Sequence, residues 1–530
     1  MLSRSRTAFV TLVFLIALIC FLWRTTLHES ISHVTTLKTP ADHPGEDVGE
    51  TEKTFDSEFP SAPLTTCPES AEWLRELEGV EDLRWPLRYS RRDVIVREIP
   101  DLDRKSITKI SGSLLPRFQE IASPAASLLA PKSCEPPIHL DVPPFPRHID
   151  ASHILLGLGT NLDRLSQSLT FFQRWASRAS IRLLIIVTPN NEGVAATSTQ
   201  ISEMELRMRG LGIDANLIPP LEKKGENIHH YLSLIKLLWK HRDEHTQWFG
   251  FVDDDTFFTS VSSLVSRLSE FDPKKLWYLG AVSEEWWTVC QYGFLAMGGG
   301  GIFLSAPLLE ILEGEYEDCK KIAKRIFGDH RLYECIAHTT DVRLTQFDGL
   351  YQMDLHGDRS GVFESGRQII SQHHWKEGYW SENGAGADMI RHSRWFPMDA
   401  MSLVQDVCGE NCFLQRWMFG KDTVLTNGYS IAVYPKGHAR DIVWRDMEKT
   451  WATSGEVDGS LNPGYDHYLG PLRDALKLEE EKVHYRFLDA KVVPGGGVRQ
   501  YYRRFGQDKR LDELVELVWT FEGDVNGTVR

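Results

Sequence analysis

An α/β fold is what this sequence predicts, built on a mostly parallel sheet flanked by helices, with an N-terminal membrane anchor and a β-rich C-terminal extension. Three observations predict it. From His153 onward, strand-length apolar runs alternate with helix-length amphipathic runs, the pattern of parallel strands covered on both faces. One such run, Trp248 to Val252, stops at three consecutive carboxylates, Asp253, Asp254 and Asp255. Near the start, Ala8 to Trp23 carries no charge at all.

Taken in order, residues 1–24 read as a short cytoplasmic tail holding Arg4 and Arg6, followed by a signal-anchor helix. A basic N-terminal flank keeps that end in the cytoplasm and sends the rest into the lumen. The apolar stretch is short, which suits a thinner, early-secretory bilayer. The expected setting is therefore a single-pass type II protein of the Golgi membrane, with the endoplasmic reticulum as the second choice. No small-x-small cleavage site follows Trp23, so a cleaved signal peptide is the alternative rather than the first reading. Residues 25–66, with Pro40, Pro44, Pro60 and Pro63 among Thr, Ser, Glu and Asp, have too few apolar groups to fold and read as a stalk. Residues 67–150 form an N-terminal extension in which Ala71 to Glu78 is a short helix and the proline-dense Lys132 to His148 wraps a surface.

The body, residues 151–376, alternates cleanly. Strands are expected at His153 to Leu158, Arg182 to Thr188, Ala215 to Ile218, Trp248 to Val252 and Leu276 to Val282. Helices are expected at Asp163 to Arg178, Glu203 to Gly210 and Glu226 to His241. In open α/β sheets, ligands bind at the carboxyl ends of strands, and Asp253 to Asp255 lie at one.

In extended chain Asp253 and Asp255 share a face and Asp254 points away. Two carboxylates about 6–7 Å apart repel by roughly 2–3 kcal/mol at an effective dielectric near 20. A cation relieves this, and oxygen ligands of this kind suit Mg²⁺ or Mn²⁺; a solvated acidic turn is the plainer alternative. Gly298 to Gly301 let backbone approach a ligand closely, although no Gly-Lys-Ser/Thr follows to make a phosphate loop of the Walker type. Asp329 and His330 open an amphipathic segment, and Phe347 to Gly361 is a polar loop with Asp354 and Asp358. His373 and His374 end a strand before Trp375.

The tail, residues 377–530, reads as a β-rich extension packed on the body. It has strand-like stretches at Thr423 to Pro435, turning at Asn427-Gly428, and at Asp441 to Trp444, with helix or strand from Asp512. A net charge of -15 without a basic stripe speaks against nucleic acid as a partner. Eight cysteines make neither a disulfide scaffold nor a zinc pattern; Cys319 with Cys335 and Cys408 with Cys412 are pairs an oxidising lumen would permit. Asn526-Gly527-Thr528 is a glycosylation sequon.

The anchor and stalk, Val252 to Thr256, Ala296 to Gly301, Gly328 to Arg331, Phe347 to Asp354 and His373-His374-Trp375 together resemble, in order and rough spacing, the Fringe-like branch of glycosyltransferase family 31, of plant and fungal type. The resemblance covers about residues 150 to 376. It implies a GT-A-like, nucleotide-binding sheet and an inverting transfer of a sugar from a UDP-sugar to a glycan or glycoprotein hydroxyl. It also implies Mn²⁺ (or Mg²⁺) as cofactor, held by Asp255 with Asp253, His374 and His373. Contacts to the donor fall to Asp253 near the ribose, with Asp254, Gly299, Gly300 and Thr160. Asp329 resembles the catalytic base. Relatives tend to show two acids here where this chain has Asp329-His330, so His330 stands as the alternative proton acceptor. Trp375, Tyr379, Trp380 and Trp395 are candidates for stacking on an acceptor sugar. Two other classes stay open: a metal-dependent phosphotransferase or hydrolase, and a membrane-anchored carbohydrate-binding protein without catalysis.

Overall fold

The computed structural model describes residues 72–77, 83–115, 117–123, 135–221, 227–323, 327–375, 398–452, 469–493, 496–506 and 510–522. All belong to one compact unit, Thr65–Arg530. The expected anchor and stalk lie outside the described residues, as do Tyr379, Trp380, Trp395 and the sequon. Among the described residues no helix is long and apolar enough to cross a membrane.

The body is a seven-stranded sheet of β1 (Ile154–Thr160), β2 (Arg182–Val187), β3 (Asp214–Ile218), β4 (Trp248–Phe251), β5 (Tyr278–Gly280), β6 (Ile302–Ser305) and β7 (Leu344–Gln346), in the order β7-β5-β6-β4-β1-β2-β3. Neighbouring strands are parallel except on either side of β6, which runs against both β4 and β5. Helix α1 (Leu162–Ala176) follows β1. Its Asn161 cap accepts from the Arg164 N–H, and Leu165, Leu169, Phe172 and Trp175 bury one face at helical spacing. Helix α2 (Ser198–Gly210) starts at a capping box of Thr197 and Gln200, several residues before the apolar pattern alone marks it. Helix α3 (Asn227–His241) lays Leu234, Ile235 and Leu238 on the opposite face of the sheet.

Each face therefore has its own core. Leu155, Ile186, Phe251 and Leu304 meet α3 on one side. On the other, a continuous buried cluster runs from Leu156 and Ile185 through Phe258 and Phe363 to Trp417 and Trp519. That second cluster ties the body to a ten-stranded sheet, and here the structure departs from the expected division into separate extensions. Leu87–Glu98 pairs in parallel with Asp512–Phe521, from Leu87 opposite Asp512 to Val96 opposite Phe521, and Ile107–Ile110 pairs in parallel with Arg416–Phe419. The segments before and after the body thus share one sheet. The proline-dense stretch supplies another of its strands, Ile138–Val142, rather than only wrapping a surface.

Thr423–Thr426 and Ser430–Val433 form the expected hairpin about Asn427-Gly428. Asp441 to Trp444 is not a strand; it follows the 3-10 helix Pro435–Arg440 as irregular chain. The region from Asp512 is a strand, buried on both faces because it is central in its sheet. Cys319 is bonded to Cys335 and Cys408 to Cys412. The first bridge fastens the helix Tyr316–Ile322 to α4 (Gly328–Thr339).

Candidate functional site

Strand β4 ends at Phe251, and the chain turns at once. Thr256 closes the turn: its hydroxyl accepts from the Asp253 N–H at 2.9 Å and its own N–H donates to the Asp253 carbonyl at 3.1 Å. The turn sorts the three carboxylates. Asp254 points toward the end of β1, where it accepts from the Thr160 hydroxyl at 2.6 Å and, through both oxygens, from Arg164 Nε and Nη2 at 2.7 Å each. Thr160 and Asp254 are therefore bonded to one another and to α1. Asp253 and Asp255 face the other way, toward His373.

His373 and His374 arrive there by strand pairing. Ser371–Gln372 lies antiparallel to Phe257–Phe258, with Gln372 opposite Phe257, so the next two residues run back alongside the acidic turn. His373 Nε2 is 2.9 Å from Asp255 Oδ1 and 3.5 Å from Asp253 Oδ2. Asp255, His373 and His374 each offer a ligand atom, all within 4.8 Å of one another, so these three side chains can share one metal ion. Behind them, His374 Nε2 lies 3.3 Å from Asp354 Oδ1, and Asp354 also accepts from the Ser283 hydroxyl. A carboxylate behind a ligating imidazole is the usual support of a metal site. His374 and Met353 both hold positive φ, 53° and 64°, a conformation that side chains other than glycine adopt at a cost.

The charges are strongly coupled. Burial works against a protonated His373, but Asp255, by charge and hydrogen bond, with Asp253 and Asp354 behind it, pushes the imidazole up to about 9. Burial likewise opposes ionised Asp255, yet His373, His374 and Arg164 hold it below the usual carboxylate range. Asp253 sits in a recess with 40% of its side chain exposed. Desolvation in that recess, and then the carboxylates of Asp255, Asp329 and Asp254, push it up to about 7 against the pull of His373. Burial first, and the positive charge of His373 next, bring His374 down to about 4, against the pull of Asp354. A divalent cation takes deprotonated imidazole and ionised carboxylate, and it would settle this crowd of acids.

The glycine run ties the site together. Gly299 accepts from the Thr256 hydroxyl at 2.8 Å, Gly300 N–H donates to Gln352 at 3.0 Å, and Gly298 N–H donates to Asp329 Oδ2 at 3.3 Å. A Cβ on Gly299 would fall 2.2 Å from His373 Nδ1, and one on Gly300 3.2 Å from the Tyr351 carbonyl carbon. What presses on these two glycines is thus the protein itself. Asp329, in the first turn of α4, also accepts from the His330 N–H at 2.8 Å. Burial raises its carboxyl above the usual range, although His330 and the two N–H groups pull it down. His330 is 3% exposed and lies under the Tyr292 ring at 4.2 Å, with Phe327 edge-on at 5.3 Å.

Of the residues singled out from sequence, Asp253, Asp255, His373 and His374 come together, and Asp329 joins them through Gly298 and Gly299. Trp375 does not face a substrate: it is 6% exposed and packs on Phe171 and Phe257. Sequence reasoning missed Arg164, which looks like any polar residue of an amphipathic helix, and Tyr231, which reads as core of α3. Asp354 was visible only as one acid of a polar loop.

A family model described as "Protein of unknown function, DUF604" matches residues 289–459. That stretch holds the glycine run, Asp329, Asp354 and both histidines, and leaves the acidic triplet outside. No curated protein matches the chain. Among solved structures, the glycosyltransferase GlyE of Streptococcus pneumoniae is 12% identical with a TM-score of 0.29, covering 46% of this chain; this chain spans 60% of that one. Mouse xyloside xylosyltransferase 1 is 11% identical with a TM-score of 0.28, covering 42% of this chain and 97% of its own. A Drosophila beta-1,4-galactosyltransferase 7 mutant, solved with manganese, UDP-Gal and xylobiose, is 11% identical with a TM-score of 0.19, covering 37% and 64%.

Proposed function

We propose that this chain is a metal-dependent, inverting glycosyltransferase of GT-A type, moving a sugar from a UDP-sugar to a hydroxyl of a glycan or glycoprotein acceptor. Its Fringe-like resemblance makes a β-1,3 linkage the one to look for first. The observation that supports the reading best is the convergence of Asp255, His373 and His374 at the carboxyl end of β4, with Asp329 joined to it by the glycine run. One carboxylate and two imidazoles suit Mn²⁺, with Mg²⁺ as the harder alternative. Asp255, His373 and His374 would hold the ion and Asp253 would lie beside the ribose. When bound, such an ion stabilises the negative charge that builds on a departing diphosphate.

An alcohol is a weak nucleophile and needs a positioned base. Asp329 is half-buried, lies near enough to Asp253 for their charges to interact, and has a raised carboxyl pKa, which suits proton uptake. His330, the alternative proton acceptor, is buried under the Tyr292 ring. As the acceptor oxygen bonds to the anomeric carbon, its proton passes to Asp329. The bond to UDP breaks on the opposite face, with its electron pair leaving on the phosphate oxygen. One base then suffices and the configuration inverts. The same proposal gives residues 8–23 the role of a signal anchor and puts the reaction in the Golgi lumen.

The test is UDP release from a panel of UDP-sugars by the purified protein, with Mn²⁺ or with a chelator, beside Asp255→Ala. Metal-dependent release that vanishes in the variant is expected. Silence across the panel, with no metal-dependent UDP binding, would overturn the reading.

A further inference from the structure

Tyr231 lies one turn into α3, and its phenolic oxygen is buried with no hydrogen-bond partner among the described residues. Two glycines make room for it. A Cβ on Gly298 would fall 2.4 Å from the Tyr231 hydroxyl oxygen, and a Cβ on Gly328 2.4 Å from the Tyr231 Cβ. Gly298 is also the residue whose N–H holds Asp329, so the phenol and the carboxylate meet at the same glycine. Burial, and then the charges of Asp253 and Asp329, keep the phenol protonated well above its ordinary range. Tyr231 thus holds a hydrogen-bond donor at the glycine that also holds the base.

A buried hydroxyl without a partner is costly, and this one has a position that a ligand would use. In an inverting transfer the anomeric carbon lies between the leaving phosphate and the attacking acceptor oxygen. On the reading above, the leaving phosphate belongs at the ion held by Asp255, His373 and His374, and the acceptor at Asp329. The glycine run joins these two places, through Gly299 at His373 and Gly298 at Asp329, and the Tyr231 hydroxyl lies at Gly298. We propose that the Tyr231 hydroxyl hydrogen-bonds an oxygen of the transferred sugar, making it a specificity-determining residue toward the donor. This rests on the glycosyltransferase reading above.

The test compares binding of UDP with binding of the UDP-sugar that the wild-type protein accepts, both in Mn²⁺, for wild type and Tyr231→Phe. Affinity for UDP should stay unchanged while affinity for the UDP-sugar falls about tenfold, the scale of one lost hydrogen bond in a desolvated site. Gly298→Ala should reproduce the loss by displacing the hydroxyl. In the Tyr231→Phe background the same change should add little, because the nearest remaining ring atom is 3.1 Å from the new Cβ. Equal loss for UDP and UDP-sugar, or no loss for either, would overturn the assignment while leaving metal-dependent transfer in place. Failure of the wild-type protein to bind any UDP-sugar would instead sink the glycosyltransferase reading, and this assignment with it.

Discussion

Asp354 stands behind His374, its Oδ1 3.3 Å from the imidazole Nε2, while the Ser283 hydroxyl holds its other oxygen. An imidazole that gives one nitrogen to a carboxylate is fixed in tautomer and orientation for a cation at the other. Asp354→Asn should therefore weaken Mn²⁺ binding by about 10–100-fold without touching a proposed ligand. Calorimetric titration of Mn²⁺ into the two proteins checks this, and equal affinities would remove Asp354 from the site's support.

Gly299→Ala places a methyl 2.2 Å from His373 Nδ1 and 2.5 Å from its Cε1. The ring has to move, so metal-dependent UDP binding should vanish. The overpacked variant should also lose about 1–3 kcal/mol of stability. Denaturant unfolding and UDP binding, read together, test both parts; retained metal-dependent binding would mean that His373 is not a ligand.

Asp329→Asn keeps the shape and the acceptor oxygen for Gly298 but cannot take a proton. Turnover should fall about 10²–10⁴-fold with UDP affinity unchanged. His330→Gln, removing a ring packed under Tyr292, should lower the melting midpoint and leave most of the turnover. The reverse pattern would make His330 the base.

Arg164 is the bidentate partner of Asp254, whose side chain is 7% exposed against 38% for Arg164. Arg164→Leu strands a buried carboxylate at the base of the acidic turn. Because the arginine is itself part-exposed, the cost should be about 2 kcal/mol rather than the 3–5 of a fully buried pair. Chemical denaturation measures it, and an unchanged midpoint would show that the pair contributes nothing net.

Glu364 accepts from Lys482, His484 and Ser430 and joins the body to the ten-stranded sheet. Burial opposes its charge, but Lys482 and His484 hold its carboxyl well below the ordinary value of 4.5. A carboxyl depressed on folding stabilises fully above its unfolded pKa, and that stability is lost as pH falls below about 4.5 toward the folded value. Glu364→Gln should thus lie below wild type in melting midpoint at pH 7, with the gap closing as pH falls below about 4.5. A gap constant from pH 7 to pH 3 would contradict the coupling.

Much of the body was legible because its signals are local. Apolar strands and periodic helices from His153 to Phe251 each declare themselves within a dozen residues, and the acidic triplet marks its own strand end. The pairing of Leu87–Glu98 with Asp512–Phe521 leaves no such mark, since neither partner's sequence names the other. The site shows the same division. Asp253, Asp255 and the histidines carry metal chemistry in their residue types, whereas Arg164 and Tyr231 matter only through what the fold sets beside them. The glycine run reads as backbone that a ligand can approach, but that His373, Tyr231 and the Tyr351 backbone also press on it is nowhere marked in the sequence.

The parallel pairing of Leu87–Glu98 with Asp512–Phe521 has a consequence for biosynthesis. Strand-mates so far apart cannot meet until everything between them has been made. At about 5–20 residues per second, the early strand waits roughly 20–90 s for its neighbour. During that interval it presents an unsatisfied edge to every other nascent chain nearby. The seven-stranded body can close in the meantime, since its contacts are nearer in sequence. Completion of this sheet therefore waits on Asp512–Phe521, and a chain that stops before Asp512 would keep Leu87–Glu98 paired on one edge only, with Gln119–Ile121 and Ile138–Val142, and its other edge open to quality control.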